Sequence, residues 1–174
     1  VFRQLLAHRN LSVFTIVSAL QVTECTFEKN FLSAFVDLLL SDLPRSTRSA
    51  IISTSFILPW VVTMLLGPVV NRYGVHPVIR FAFSLKFCLA ATALAVGPTS
   101  TYFLGFYAVA VRVLTECVCR QTPIVLADLV DEDKVLNMRP KTLAATVMAT
   151  SAFFTKPGES LAPMLGWALV NGAW

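Results

Sequence analysis

The sequence has 174 residues, 56% of them hydrophobic and 14% charged, with a mean hydropathy of +0.70. Soluble domains run at about 45–50% apolar and about 25% charged, so an ordinary water-soluble fold is excluded at the outset. The formal charge of +4 does not indicate nucleic acid, because the cations stand at the ends of apolar segments and form no continuous face.

A helix crossing about 30 Å of hydrocarbon needs about 20 mostly apolar residues. Five segments meet that requirement: about 11–38, interrupted by the polar patch TECTFEKN, then 49–70, 78–96, 102–126 and 142–169. The connections are short and rich in helix breakers: SDLPRSTR, NRYGVHP and GPTST. The fourth connection, ADLVDEDKVLNMRPK, reads as an acidic hinge. It holds Asp128, Asp131, Glu132 and Asp133 beside Lys134, Arg139 and Lys141. No alternating pattern of barrel-strand length recurs. The expected fold is therefore an all-α, multi-pass integral membrane bundle, with the lipid bilayer as its first partner. No signal peptide is visible, no initiating Met is present, and the sequence stops at Trp174 just after a helix. It reads as a piece of something longer.

Orientation follows from the loop cations. If the five segments all cross, Arg3, Arg9, Arg72, Arg80, Lys134, Arg139 and Lys141 share one side, against Arg45 and Arg48 on the other. The richer side is cytoplasmic by the positive-inside rule.

Ionisable residues at membrane depth are costly and usually face a cavity or a partner. Glu24 and Glu28 are four apart on the first segment and share a helix face, with Lys29 adjacent and Asn30 beyond it. Two like charges in low dielectric cannot both ionise cheaply, so a proton, a cation or a basic neighbour must serve one of them. Such a pair suits ion coupling; equally, Lys29 or a basic residue on another helix neutralises it. Arg112, Glu116 and Arg120 recur at intervals of four. The first two either order the bundle as an ion pair or line its cavity, and Arg120 is expected to snorkel to the cytoplasmic end. Lys86 has Glu24, Glu28 and Glu116 as alternative partners. In the fifth segment, Lys156 opens the run KPGE. Pro157 and Gly158 are expected to break the helix beside a cation, as at transporter sites. The alternative is a kink with Lys156 paired locally to Glu159.

Cys25, Cys88, Cys117 and Cys119 all lie in apolar segments and read as reduced packing residues. His8 and His76 fall in loops, and no nucleophile or metal set accompanies the carboxylates. An enzyme is not expected, and neither is a cofactor, a bound metal or a nucleic-acid partner.

The run Gly67-Pro-Val-Val-Asn71-Arg72-Tyr-Gly74-Val-His76 resembles the loop motif of the major facilitator superfamily, in which an acid and an arginine latch neighbouring helices on the cytoplasmic side. Asn71 stands here in place of the acid. The acidic connection ending in Arg139, followed by a helix bearing Lys156 and small residues, is similar to the glycoside–pentoside–hexuronide cation symporters of that superfamily. RQLLAHRN, LVDED and the spaced TKPG, AP and LG fragments resemble most closely an orphan branch, the transmembrane protein 180 or major facilitator domain-containing 13 proteins. This resemblance implies that the five segments correspond to helices seven to eleven of a twelve-helix major facilitator fold. The first six-helix half and the last helix would be missing partners. It implies secondary transport of a small, polar, sugar-like solute with H+ or Na+ as coupling ion. The resemblance places Lys156 at the substrate or ion site; Glu24, Glu28, Lys29, Asn30, Arg112, Glu116 and Glu159 are further candidates from their own mid-segment positions, and Glu24, Glu28 and Lys29 depart from the pattern of that branch. A cytoplasmic gate would use Gly67, Asn71, Arg72, Gly74, Asp128, Asp131 and Arg139. The alternative is a facilitator-fold scaffold that transports nothing.

Overall fold

Apolar surroundings offer no water to backbone N–H and C=O groups, and an α-helix satisfies them within one segment. A computed structural model describes residues 9–96, 100–138 and 144–172. It contains α1 (Arg9–Leu39), α2 (Arg45–Tyr73), α3 (Val75–Val96), α4 (Thr101–Leu136) and α5 (Ala144–Gly172). Each expected segment falls on one helix, and the helices run longer than the hydropathy pattern suggests.

Three differences from expectation have plain local causes. The patch TECTFEKN does not interrupt α1, because it contains no Gly or Pro and its residues are compatible with a helix. The acidic stretch is not a hinge over its first ten residues. No Gly or Pro stands between positions 124 and 139, so Asp128, Asp131, Glu132, Asp133 and Lys134 ride on α4. At 1.5 Å per residue the 36 residues of α4 extend about 54 Å, well past a hydrocarbon core of about 30 Å. Its end is tied by Asn137, whose Nδ2 donates to the Asp133 carbonyl at 3.2 Å and carboxylate at 2.8 Å. Finally, Pro157 and Pro163 lie inside an unbroken α5, where the expected helix break does not occur. One proline removes one backbone bond, and the turns on either side keep theirs. His76 likewise belongs to the first turn of α3 and not to a loop. Arg3, His8, Arg139, Lys141, Trp174 and the first two residues of the expected segment 142–169 lie outside the described residues.

By length and composition α2, α3 and α4 can each cross a membrane. The faces of the helices show why. Large apolar side chains are exposed on every helix, among them Leu20, Ile57, Met64, Phe87, Leu94, Phe106 and Phe153. Thr15, Ser18, Gln21, Ser55, Thr115 and Ser151 are buried. In water this inside-out arrangement would be unstable; lipid accepts the apolar faces, and small or hydroxylated residues let helices approach. Many of the helical hydroxyls are satisfied within their own helices. Thr15, Thr23, Ser55, Thr63, Thr92 and Thr150 each donate to the carbonyl four residues earlier, at 2.7–2.8 Å.

The chain divides into two compact units, Val1–Phe27 with Thr122–Trp174, and Glu28–Gln121. In the second, Leu32, Val36, Leu40, Leu43 and Ala108 form a core against Phe35, Ile51, Ile52 and Leu104. Asp37 and Arg48 pair at 2.9 Å across the α1–α2 turn. In the first unit, α1 and α5 approach closely. A Cβ on Gly158 would collide with Thr23 Oγ1 and stand 3.4 Å from the Ala19 carbonyl.

The α2–α3 corner depends on Gly74, which takes φ 84° and ψ 165° and whose N–H donates to the Val70 carbonyl at 2.8 Å. Side-chain-bearing residues rarely adopt that backbone. Gly74→Ala is expected to cost about 1–2 kcal/mol, although open space surrounds the position. A thermal unfolding midpoint unchanged by the substitution would show that the corner relaxes without strain.

Candidate functional site

Within the second unit, α1 and α4 place five charged side chains together. On α4, residues 112, 116 and 120 follow one another at single-turn spacing and form a stripe. Arg112 is 3% exposed and donates to Glu116 Oε2 at 2.9 Å. Arg120 donates to Glu116 Oε1 at 3.2 Å. From α1, Lys29 reaches Glu116 Oε2 at 3.2 Å. Glu28 accepts a 3.0 Å hydrogen bond from the Thr115 hydroxyl, and its other oxygen lies 4.0 Å from the Arg112 guanidinium. Glu116 is thus a carboxylate shared by three cations, and Arg112 stands between two carboxylates. Removing charges from water is costly, and mutual pairing of this kind offsets the cost.

Aromatic rings of α2 complete the arrangement. Phe56 and Trp60, one turn apart, lie beneath Arg112 and Arg120, with the guanidinium carbons 5.7 Å and 3.6 Å from the ring centroids. Delocalised guanidinium groups are suited to such faces. Arg120 is therefore not snorkelling to a helix end; it turns back along the stripe to Glu116 and Trp60. Cys117 shares a 3.6 Å contact with the Thr63 hydroxyl. All four cysteines are free thiols, but Cys88 is exposed on α3 instead of packed, as suits a soft apolar side chain on a lipid-compatible face. A cavity of about 150 Å³ between α2, α3 and α4, lined by residues such as Leu66, Phe81 and Leu114, exposes apolar surface and offers nothing to a polar solute.

The other candidate residues are distributed as follows. Glu24 is half-buried on α1, one turn before Glu28, and Asn30 is exposed just after Lys29. Lys86 lies 5.9 Å from the Phe83 ring centroid on its own helix. In the first unit Lys156 donates to Glu159 at 2.7 Å, and both side chains are substantially exposed. This is the local pair that the three-residue spacing allows.

Of the gate candidates, Gly67 lies inside α2, and Asn71 and Arg72 lie exposed in its last turn. Arg72 stacks on Tyr73 at 5.4 Å, and Gly74 makes the turn. Asp128 and Asp131 are exposed on α4, while Arg139 lies outside the described residues. The inter-helix bond at this end of the first unit comes instead from Glu132, which accepts from Asn10 Nδ2 of α1 at 2.8 Å. Thr115, Trp60, Phe56 and Asn10 were not among the residues expected from sequence. The repeat of aromatics at 56 and 60 was the available signal for two of them; an uncharged Thr or Asn at a helix seam carries none.

Inside-out helices with a buried charged seam describe a membrane protein, and comparison with known proteins agrees. The match is to transmembrane protein 180. The chain is 38% identical over 169 residues to transmembrane protein 180 of Gallus gallus, and equally to that of Mus musculus. Each alignment covers 96% of this chain and 33% of the relative, so the chain spans about a third of the length of these proteins. No protein-family profile and no solved structure matches the chain. With three apolar helices of membrane length and relatives named as transmembrane proteins, this is an integral, multi-pass membrane protein.

Proposed function

We propose that the chain is part of a secondary active transporter, carrying a small polar solute by alternating access. The observation that carries this reading is the Glu28–Lys29–Arg112–Glu116–Arg120 network. It sits on the middle turns of α4 in a chain whose exposed faces are apolar. Charges at that depth are expensive, and transporters use them to bind solutes and coupling ions.

In this reading all five helices span the bilayer. The polar runs in α1 and α5 then face protein instead of lipid, and the Arg72 and Asp128 ends are cytoplasmic. The five helices would correspond to helices seven to eleven of a major facilitator fold. The solute path would need a second helical half. A sugar-like solute and H+ or Na+ coupling follow from the resemblance to cation symporters. Lys156 is assigned to the solute site on that resemblance, and Glu159 joins it as the partner that it holds at 2.7 Å. Glu132 with Asn10 joins Asp128 and Asp131 as gate candidates of the first unit.

A second reading has one observation in its favour. The five network charges pair among themselves, as they would in a facilitator-fold scaffold that moves nothing. Uptake of a panel of labelled sugars into proteoliposomes holding the full-length protein, under imposed proton or sodium gradients, separates the two. Transport predicts flux that falls about tenfold or more in Glu116→Gln and in Lys156→Ala. Absence of gradient-driven flux for the whole panel would remove the transport reading.

A further inference from the structure

We propose that the cavity between α2, α3 and α4 is a dry binding site for a small, uncharged ring hydrocarbon of benzene's size, taken up from the bilayer. This goes beyond the transport reading and uses none of the network charges. The first observation is the size of the space. The cavity holds about 150 Å³, and all of its walls belong to the second unit. Protein interiors are close-packed and keep few voids larger than a water molecule. An apolar cavity of about this volume stays dry and admits a guest of benzene's size.

The second observation is the chemistry of the walls. Leu66 of α2, Phe81 and Ala82 of α3 and Leu114 of α4 present carbon to the space. Its two more polar wall residues add no hydrogen-bonding surface. Cys117 offers a soft thiol already in contact with the Thr63 hydroxyl at 3.6 Å, and the Gln121 side chain is 5% exposed with its amide oxygen covered. A water molecule needs about two to four polar partners, so water is a poor filler here. A charged or strongly hydrogen-bonding solute would give up its hydration and receive nothing in return.

The third observation concerns the route and the shape of the guest. Phe81 lines the cavity and is also 69% exposed on the apolar outer face of α3. A molecule dissolved in the bilayer therefore meets the cavity beside the Phe81 ring without crossing water. Lipid tails compete for the same space, but a tail must surrender torsional freedom to fill a pocket and a rigid ring has none to lose. An edge or offset contact with Phe81 favours the ring further.

Cys117 supplies the test. It is a free thiol, 4% exposed, and a small uncharged reagent would reach its sulfur through the space that the ligand fills. The full-length protein in lipid nanodiscs is treated with methyl methanethiosulfonate, and peptide mass spectrometry follows modification of Cys117. Cys88, exposed on α3 and outside the cavity, is the internal control. The probes are benzene, n-hexane and phenol, compared at equal concentration in the bilayer. The expected result is saturable protection of Cys117 by benzene, about tenfold at about ten times its Kd, with Cys88 unaffected and little protection by n-hexane. Ala82→Leu puts its added carbons into the cavity. It is expected to slow the reaction by itself and to abolish the effect of benzene; Val78→Leu is a milder filling variant, and circular dichroism establishes that each is folded. Equal protection by n-hexane would overturn the proposal, because lipid tails would then fill the space. Protection by phenol at a tenfold lower concentration would overturn it too, since the wall would then hold an acceptor. So would undiminished protection by benzene in both folded filling variants, a Cys117 that benzene protects no more than Cys88, or one that the reagent never reaches. Occupancy is read without flux, so a failure here leaves the transport reading standing and a failure of transport leaves this site untouched.

Discussion

Replacing Arg112 by leucine is expected to destabilise the protein by about 3–5 kcal/mol, the cost of stranding a buried charge whose partner is removed. Arg112 is 3% exposed and stands between Glu116 at 2.9 Å and Glu28 at 4.0 Å. Without it, Glu116 retains Lys29 and Arg120, each at 3.2 Å, while Glu28 keeps the bond from Thr115 and loses its 4.0 Å approach to a guanidinium. Replacing both partners, Arg112→Met with Glu116→Leu, removes one charge of each sign and is expected to cost far less than the sum of the two single changes. Thermal unfolding in nanodiscs measures the cycle. Additive losses would show that the two side chains do not act as a pair.

Gly158→Val is expected to have the second largest effect. Gly158 lies one residue after Pro157, where the sequence suggested a loosened helix, yet its place in the fold is a close approach of α5 to α1. A Cβ there runs into Thr23 Oγ1, which itself donates to the Ala19 carbonyl at 2.8 Å, and that carbonyl is 3.4 Å away. The hydroxyl can turn away only by giving up its bond, and the backbone behind it cannot yield. Overpacking of this sort costs about 1–3 kcal/mol, and a branched side chain belongs at the upper end. Thr23→Ala in the same chain opens the contact and is expected to restore part of the loss. A Gly158→Val variant as stable as the parent would mean that α5 does not pack on α1 through this residue.

The helices were legible because composition and hydropathy carry them: five apolar segments became five helices, with described ends within about four residues except the last end of α4, which runs ten residues further, to Leu136. Their interruptions were less legible. TECTFEKN and the first part of ADLVDEDKVLNMRPK read as breaks because polarity and helix ending often coincide, but helices end at Gly, Pro and caps, and neither stretch contains one before Pro140. The KPG run erred in the opposite sense, since a single proline is compatible with a continuous membrane helix.

Within the candidate site, the Arg112–Glu116 pair was readable from four-residue spacing, as was the local Lys156–Glu159 pair from three. The α1–α4 contacts could not be read that way. Which face of α1 meets α4 is decided by packing of Leu32, Val36 and Leu40 against Ala108 and its neighbours, and one-dimensional periodicity does not record it. Arg120 was misplaced for a related reason. Its distance along the helix suggested a lipid interface, and only the neighbouring Trp60 ring explains why it turns back.

Uptake by the full-length protein carrying Arg112→Met and Glu116→Leu tests most directly whether the buried network is a working site. It is measured beside the stability of the same variant and the uptake of the parent. The expected result is a protein that still folds, as circular dichroism reports, and whose gradient-driven solute uptake has fallen to background. A stable double variant that transports as well as the parent would contradict it, and would leave the five charges as structural pairs holding α1 to α4.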